Sequence, residues 1–447
     1  MYATMMLIAW LLFTLAVGAG VLSILYKGSI SLYLPERLAL SYALGLGAIT
    51  IEMAILSAFG VKLGIFPIVA CSAPLVICAF YFRKGGCERF IDEGRLSLLE
   101  KFFITAILFE ILYAFFRAFI MPIESYDAVA IYGIKAKIFY LAGGIPRDFF
   151  SRFGDFIPHA EYPLLIPLSE YSIYTFLSSF NDIASKAIFP LYYVSTLGVF
   201  YCILRRNIGR KISLLFVFLL ATIPQFKEYA TNGYADLPAA FYYSASFFYL
   251  FLWIKEKRNA HLWLSFALSA LCVWAKTEGL ILFGANIIIA ALYFVSSGKD
   301  RRKSCAIYIV GSVLSIAAYL IARKNLGLEI SNDFVSSKLD IFQAVKRIPE
   351  ILYQYQIQFF GPKKWNIAWI IFILAFIMNI KKAFSGELKV ITFSILIVFV
   401  SYSAVYMLTP LDLSWHLATT VGRLFLHFLP VVLFWLAILF KEKKLEI

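Results

Sequence analysis

Long apolar runs separated by short charged stretches occupy most of the chain, and their lengths suit α-helices that cross a bilayer. Such runs fall near 3–25, 38–59, 62–82, 102–121, 187–204, 212–224, 237–254, 262–275, 279–295, 305–322, 365–380, 390–408 and 421–440. They predict an all-α polytopic membrane protein with about thirteen transmembrane helices. Basic clusters lie between them: Arg83/Lys84/Arg89/Arg95, Arg205/Arg206/Arg210/Lys211, Lys255/Lys257/Arg258, Lys299/Arg301/Arg302/Lys303, Lys381/Lys382/Lys389 and Lys441/Lys443/Lys444. The positive-inside rule assigns all of these to the cytoplasm.

The segment 163–180 (PLLIPLSEYSIYTFLSSF) decides the parity. As a full crossing it would drive Arg205 to Lys211, and every later basic cluster, to the outer side. It is short and carries Ser169, Glu170, Ser172, Ser178 and Ser179, so it predicts a juxtamembrane or re-entrant helix on the outer face. The N-terminus is then outside and the C-terminus inside. The first run, Met1 to Leu25, lacks a basic n-region and an A-x-A site and reads as a retained helix. With no linker or repeat evident, residues 1–447 are expected to form a single transmembrane domain, with a large outer loop over 122–186.

Composition sharpens this picture. The chain is 62% hydrophobic and 15% charged, with a mean hydropathy of +0.81, which excludes a soluble globule. The net charge of +14 fits Lys and Arg held near anionic lipid and does not call for nucleic acid. The six cysteines (Cys71, Cys78, Cys87, Cys202, Cys272 and Cys305) lie in apolar runs or basic loops and imply no disulfide framework. No P-loop or convincing GxGxxG points to a nucleotide.

Chemistry concentrates in the outer loops. Residues 123–162 gather Glu124, Asp127, Asp148, Asp155, Glu161, Lys135, Lys137, Arg147, Arg152 and His159 among many aromatics. Ser125 is a candidate N-cap for a helix over 126–141, which would make Asp127 a first-turn carboxylate. The functional alternative is a general base at the membrane surface. Lys135 and Lys137 diverge by about 200° on a helix, so one could bind a lipid phosphate while the other snorkels to headgroups. In YATNGYADLPAAFYY, Asp236 is either a helix N-cap or a second functional acid. In TPLDLSWHLATTVGRLFLHFLP, Arg423 needs an anion close to the interface. A phosphate leaving group or a salt bridge to Asp412 would serve, and His416 is either an interfacial ring or part of a site. Lys276 and Glu278 read as a structural pair, and Glu110 and Arg117 share a face on the fourth run.

These outer clusters together resemble the GT-C superfamily of membrane glycosyltransferases, which includes protein O-mannosyltransferases and lipid A aminoarabinose transferases. The resemblance rests on an acid in the large outer loop followed by a Tyr-Pro-Leu step (Tyr162, Pro163, Leu164). It rests also on Arg205-Arg206, a helix ending at Pro224, and Asp236 heading the next helix. It implies transfer of a sugar from a polyprenyl- or dolichyl-phosphate donor to a hydroxyl acceptor. The site would then lie on the extracytoplasmic side of a plasma (inner) membrane. By the likeness Asp127 matches the first-loop catalytic acid and Asp236 the second, with Lys135 or Lys137 near the carrier phosphate. The loop begins Glu124-Ser-Tyr-Asp127 instead of with adjacent acids, so either Glu124 or Asp127 could be the base. Arg423 would join the lysines at the phosphate, and His416, Asp412, Tyr162 and His159 would contact substrate. No cofactor is required, although two acids could hold a divalent metal. A transporter or lipid-linked sugar flippase is the alternative; such proteins typically place charge at the bilayer midplane, whereas here it crowds one interface.

Overall fold

The computed structural model describes residues 2–27, 32–81, 88, 90, 94–153, 156–325 and 341–444. Arg83, Lys84, Cys87, Arg89 and Asp155 lie outside the described residues, as do the side chains of Arg152, Lys443 and Lys444. Among the described residues the protein is helical, with no strand and one isolated bridge between Tyr33 and Glu88. The longer helices are α1 (Tyr2–Leu25), α2 (Leu34–Ala58), α3 (Ile65–Tyr81), α4 (Leu98–Ile120), α5 (Ile134–Ala142), α6 (Leu165–Leu177), α7 (Ile188–Asn207) and α8 (Arg210–Thr222). They continue with α9 (Asp236–Glu256), α10 (Asn259–Ala275), α11 (Gly279–Ser296), α12 (Lys299–Asn325), α13 (Ile348–Phe360), α14 (Ala368–Met378), α15 (Gly386–Leu408) and α16 (Leu413–Lys444).

Among the described residues, nine of these are long and apolar enough to span a membrane, and α3, α10 and α14 are shorter apolar helices. Every apolar run in the sequence therefore carries a helix, and length is what separates the classes. Local signals set several starts. At α4, Ser97 Oγ accepts from Glu100 N (3.3 Å) while Glu100 Oε2 accepts from Ser97 N (2.8 Å), so each satisfies an orphan amide of the first turn.

The segment 165–177 forms a helix of 13 residues, too short to cross a bilayer, and every one of its residues is buried. Instead of lying on an interface it is enclosed by α1, α2 and α5. Its serines bond to their own helix: Ser169 Oγ donates to the Leu165 carbonyl (2.6 Å), and Ser172 Oγ to that of Ser169 (2.7 Å), while both carboxylate oxygens of Glu170 are buried without a partner. The hydroxyls that suggest an interface in the sequence thus satisfy themselves on their own helix. Over 126–141 the structure also departs from one regular helix. A π-helical stretch, Ala128–Gly133, leads into α5, and such wide turns recur where a side chain must be re-aimed. Glu110 of α4 pairs with Lys227 (2.9 Å), a residue from another part of the chain, and not within its own helix with Arg117.

The centre of the bundle is α9, buried from Asp236 to Trp253 and packed against α7, α10, α11 and α16. A helix apolar on all sides needs such neighbours. Its N-terminal end, together with α16, fixes the position of the site.

Candidate active site

Two glycines let the site close. Gly233 has φ +88°, and a Cβ there would stand 2.7 Å from the Ala128 Cβ. The chain before α9 can therefore press against the residue next to Asp127 only because position 233 is glycine. Gly279 opens α11 directly over the end of α10, where a Cβ would meet the Cys272 carbonyl oxygen at 2.2 Å. This tight turn holds Lys276 and Glu278 beside the head of α9.

Arg423, on α16, joins the two acids. Its Nη1 lies 2.7 Å from Asp127 Oδ2 and its Nη2 3.1 Å from Asp236 Oδ2, with Nε 3.2 Å from the same oxygen. The planar fork of a guanidinium suits this bridge as an ammonium could not. The Tyr234 ring lies 4.8 Å from its centre. Asp236 has no exposed surface and takes two further partners, Lys276 Nζ at 2.7 Å and His427 Nε2 at 3.2 Å. His427 Nδ1 in turn contacts the Tyr402 hydroxyl at 2.8 Å. Lys276 also contacts Glu278 Oε1 at 2.8 Å. A buried carboxylate is tolerated only with such compensation.

Arg423, Asp127, Lys276 and Glu278 border a cavity of about 650 Å³ whose walls also include Tyr162 and His416, while Asp236 and His427 are buried outside its lining. His159 lines it too, in a left-handed backbone conformation (φ +52°) and stacked on Tyr162 with ring centres 4.5 Å apart. A second cavity, of about 360 Å³, adjoins the first through Tyr162, which lines both. Its walls are mostly apolar, among them Ala54, Phe150, Leu164 and Trp274, and it carries the guanidinium groups of Arg147 and Arg323.

The structure thus brings Asp127, Arg423, His416, His159 and Tyr162 to one hollow, with Asp236 buried behind Arg423 and Lys276. Neither acid acts as the helix cap that its position allows. Asp127 makes no side-chain cap bond to the π-helical stretch, and the N-cap position of α9 is Ala235. Glu124 is exposed and does not border the cavity. Lys135 and Lys137 diverge as their spacing predicts. Lys137 is exposed over the Phe180 ring (5.0 Å). Lys135 is buried behind the cavity wall and donates to the His159 carbonyl (2.6 Å). Burial pulls its ammonium down to about 7, against the opposing charge of Glu161. Asp412 pairs with its own helix start, accepting from Ser414 Oγ and Trp415 N, both at 2.8 Å.

The sequence reading passed over His427 and gave Lys276 and Glu278 only a structural role. A signal for His427 exists: it follows Arg423 by four residues on one helix and so shares its face. Among the described residues no group of three or more His, Cys, Asp or Glu side chains could hold a metal ion.

Helices of membrane-spanning length, with a charged cavity where their ends meet, define an integral, polytopic membrane protein. Residues 167–325 match the family model of dolichyl-phosphate-mannose-protein mannosyltransferases, which supports a membrane glycosyltransferase of the GT-C superfamily. The matched stretch contains Asp236, Lys276 and Glu278, while Asp127 and Arg423 lie outside it. No curated protein and no solved structure matches the chain.

Proposed function

We propose that the protein moves a sugar from a polyprenyl- or dolichyl-phosphate donor to a hydroxyl acceptor, with Asp127 as general base, on the extracytoplasmic side of the membrane. The observation that carries this reading is the single arginine shared by Asp127 and Asp236 at the wall of a cavity. Asp127 keeps 17% of its side chain exposed there, while Asp236 is closed off. Open access suits the acid that must receive a proton, and closure suits the one that fixes the arginine.

In the reaction the acceptor oxygen attacks the anomeric carbon as its proton passes to the Asp127 carboxylate. The bond from that carbon to the phosphate oxygen breaks, and the electron pair leaves with the carrier phosphate. This is a single displacement and inverts the anomeric centre. Charge grows on the phosphate as the bond breaks, and fixed cations stabilise it. The second cavity supports the placement of that group: Arg147 and Arg323 offer charge, and the apolar walls suit the first isoprene units. Lys135, behind the shared wall, would reach the phosphate by exchanging its carbonyl partner, and Arg423 would face it from the first cavity. Lys137 is left to the headgroups. His416, His159 and Tyr162 would shape the substrate's path. The protein would work as one transmembrane domain in the plasma (inner) membrane, and the reaction as written needs no metal.

The test is incubation of the purified protein with radiolabelled polyprenyl-phosphate sugars and candidate hydroxyl acceptors. Transfer of label to an acceptor, with release of the carrier phosphate, is expected. An intact glycosyl-phosphate bond with movement of the lipid between leaflets would point to a flippase instead.

A further inference from the structure

Glu278 is an acid that the proposed reaction leaves without a task. It belongs to the turn between α10 and α11 and borders the first cavity. Its Oε1 faces Lys276, while its Oε2 is buried and has no hydrogen-bond partner. A buried carboxylate oxygen left unpaired is costly, and the last torsion of a glutamate is soft enough to present either oxygen to a ligand. Burial opposes the charge on Glu278, but Lys276 and His427 together hold the carboxyl below its usual range.

Its location narrows what that ligand is. Trp274, in the last turn of α10, lines the second cavity, whereas Lys276 and Glu278, just beyond that helix, line the first. The end of α10 and the turn that follows it therefore straddle the boundary at which Tyr162 also stands. Burial holds the Tyr162 phenol well above its usual range, and the charge of Glu278 adds to this more than that of Asp127 does. Glu278 thus stands on the first cavity's side of the boundary that Tyr162 marks. The charged side chains at the head of α9 are Asp127, Asp236 and Glu278 against Arg423 and Lys276. With three acids to two bases, this end keeps acceptor oxygens for a group rich in O–H donors even where Arg423 turns to the phosphate.

On the reading that the protein uses a lipid-phosphate sugar, we propose that Glu278 contacts the donor's sugar ring, accepting hydrogen bonds from its hydroxyls as the ring passes from the phosphate-holding cavity to Asp127. Glu278 would then decide which sugars the donor can carry, while Asp127 decides whether transfer occurs.

The test compares binding of dolichyl-phosphate mannose and of bare dolichyl phosphate to the full-length protein and to Glu278→Gln, by ligand-dependent thermal shift in detergent. The variant is expected to bind the mannose-bearing lipid about ten- to a hundredfold more weakly, the worth of one hydrogen bond to a charged group. Its affinity for the bare carrier should stay within about twofold. Equal weakening for both lipids, or for neither, overturns the proposal; so does a wild-type protein that binds the two lipids equally. If Glu278→Gln does not fold, Glu278→Asp keeps the charge beside Lys276 and draws back from the ring, and the same selective loss is expected. Wild-type protein that prefers the mannose-bearing lipid but transfers nothing would overturn the transferase reading, while selective loss in the variant would still uphold the sugar contact.

Discussion

The protein buries two carboxylate–arginine clusters, one at each end of α9, and they are built to different purposes. Around Tyr249, Glu36 is fully buried and every contact is spoken for: Tyr249 donates to Oε1, while Arg206 Nη1 (2.9 Å) and Tyr33 N (3.1 Å) donate to Oε2. Arg206 reaches Glu88 as well and stacks over the Tyr33 ring at 4.4 Å. Around Asp236, thirteen residues and about 20 Å up the same helix, an equally buried acid shares its arginine with a partly exposed one at a cavity wall. A further acid there holds an oxygen without a partner. The first arrangement fastens α2, α7 and α9 together. The second has the same ingredients with capacity left over for a ligand, and that surplus distinguishes a site from a staple.

The largest expected separation between the two clusters comes from substituting one acid in each. Asp127→Asn keeps the shape of the side chain and removes the proton acceptor. Sugar transfer should fall by about 10²–10⁴-fold, with thermal unfolding close to that of the wild type. Turnover that survives would move the base to another acid. Glu36→Ala should do the opposite. Deleting one partner of a buried ion pair costs about 3–5 kcal/mol, visible as a large drop in melting temperature, while the folded fraction keeps its turnover per molecule. Loss of turnover in the folded fraction would mean that the two ends are coupled and the division into site and staple is wrong.

Arg423→Lys sharpens the comparison on the active side. An ammonium cannot bridge two carboxylates in the manner of a guanidinium fork, so one of Asp127 and Asp236 loses its contact with residue 423. Transfer should fall by about tenfold or more, with a stability loss of about 1–3 kcal/mol, read from donor-dependent kinetics alongside thermal unfolding. Arg206→Lys at the other end should register in the melting temperature only. A matching fall in turnover there would again break the distinction.

The sequence makes the fold legible because spanning helices advertise themselves by length and apolarity, and each apolar run carries a helix. The site is legible in its charged members, since Asp127, Asp236 and Arg423 stand out in segments where charge is expensive. What could not be read is pairing in three dimensions. Asp412 lies eleven residues from Arg423, yet the arginine turns to acids 187 and 296 positions away (423 − 236 and 423 − 127). Lys276 and Glu278 looked like a self-contained pair because the reach of Lys276 to Asp236 depends on how α10 packs on α9. The enclosure of α6 was hidden for a related reason: Ser169 and Ser172 bond along their own helix, which leaves serine content ambiguous between surface and interior.

Lys135 offers the smallest effect and a third case to set beside the two clusters, for its hydrogen bond goes to a carbonyl and not to a carboxylate. Burial lowers its ammonium to about 7, with Glu161 opposing that shift, whereas in the unfolded chain a lysine titrates near 10.4. Between these values the unfolded chain holds the extra proton, so stability rises with pH across the interval; below about 7 the group is protonated in both states and contributes no slope. The slope is at most about 1.4 kcal/mol per pH unit. Melting temperatures of the wild type and Lys135→Met, taken between pH 7 and 9, isolate it: the wild type should gain on the variant as pH rises. Parallel curves would show that Lys135 keeps an ordinary affinity for its proton in the folded protein. It would then be held as the acid clusters hold their charges, by compensation and not by exclusion from water.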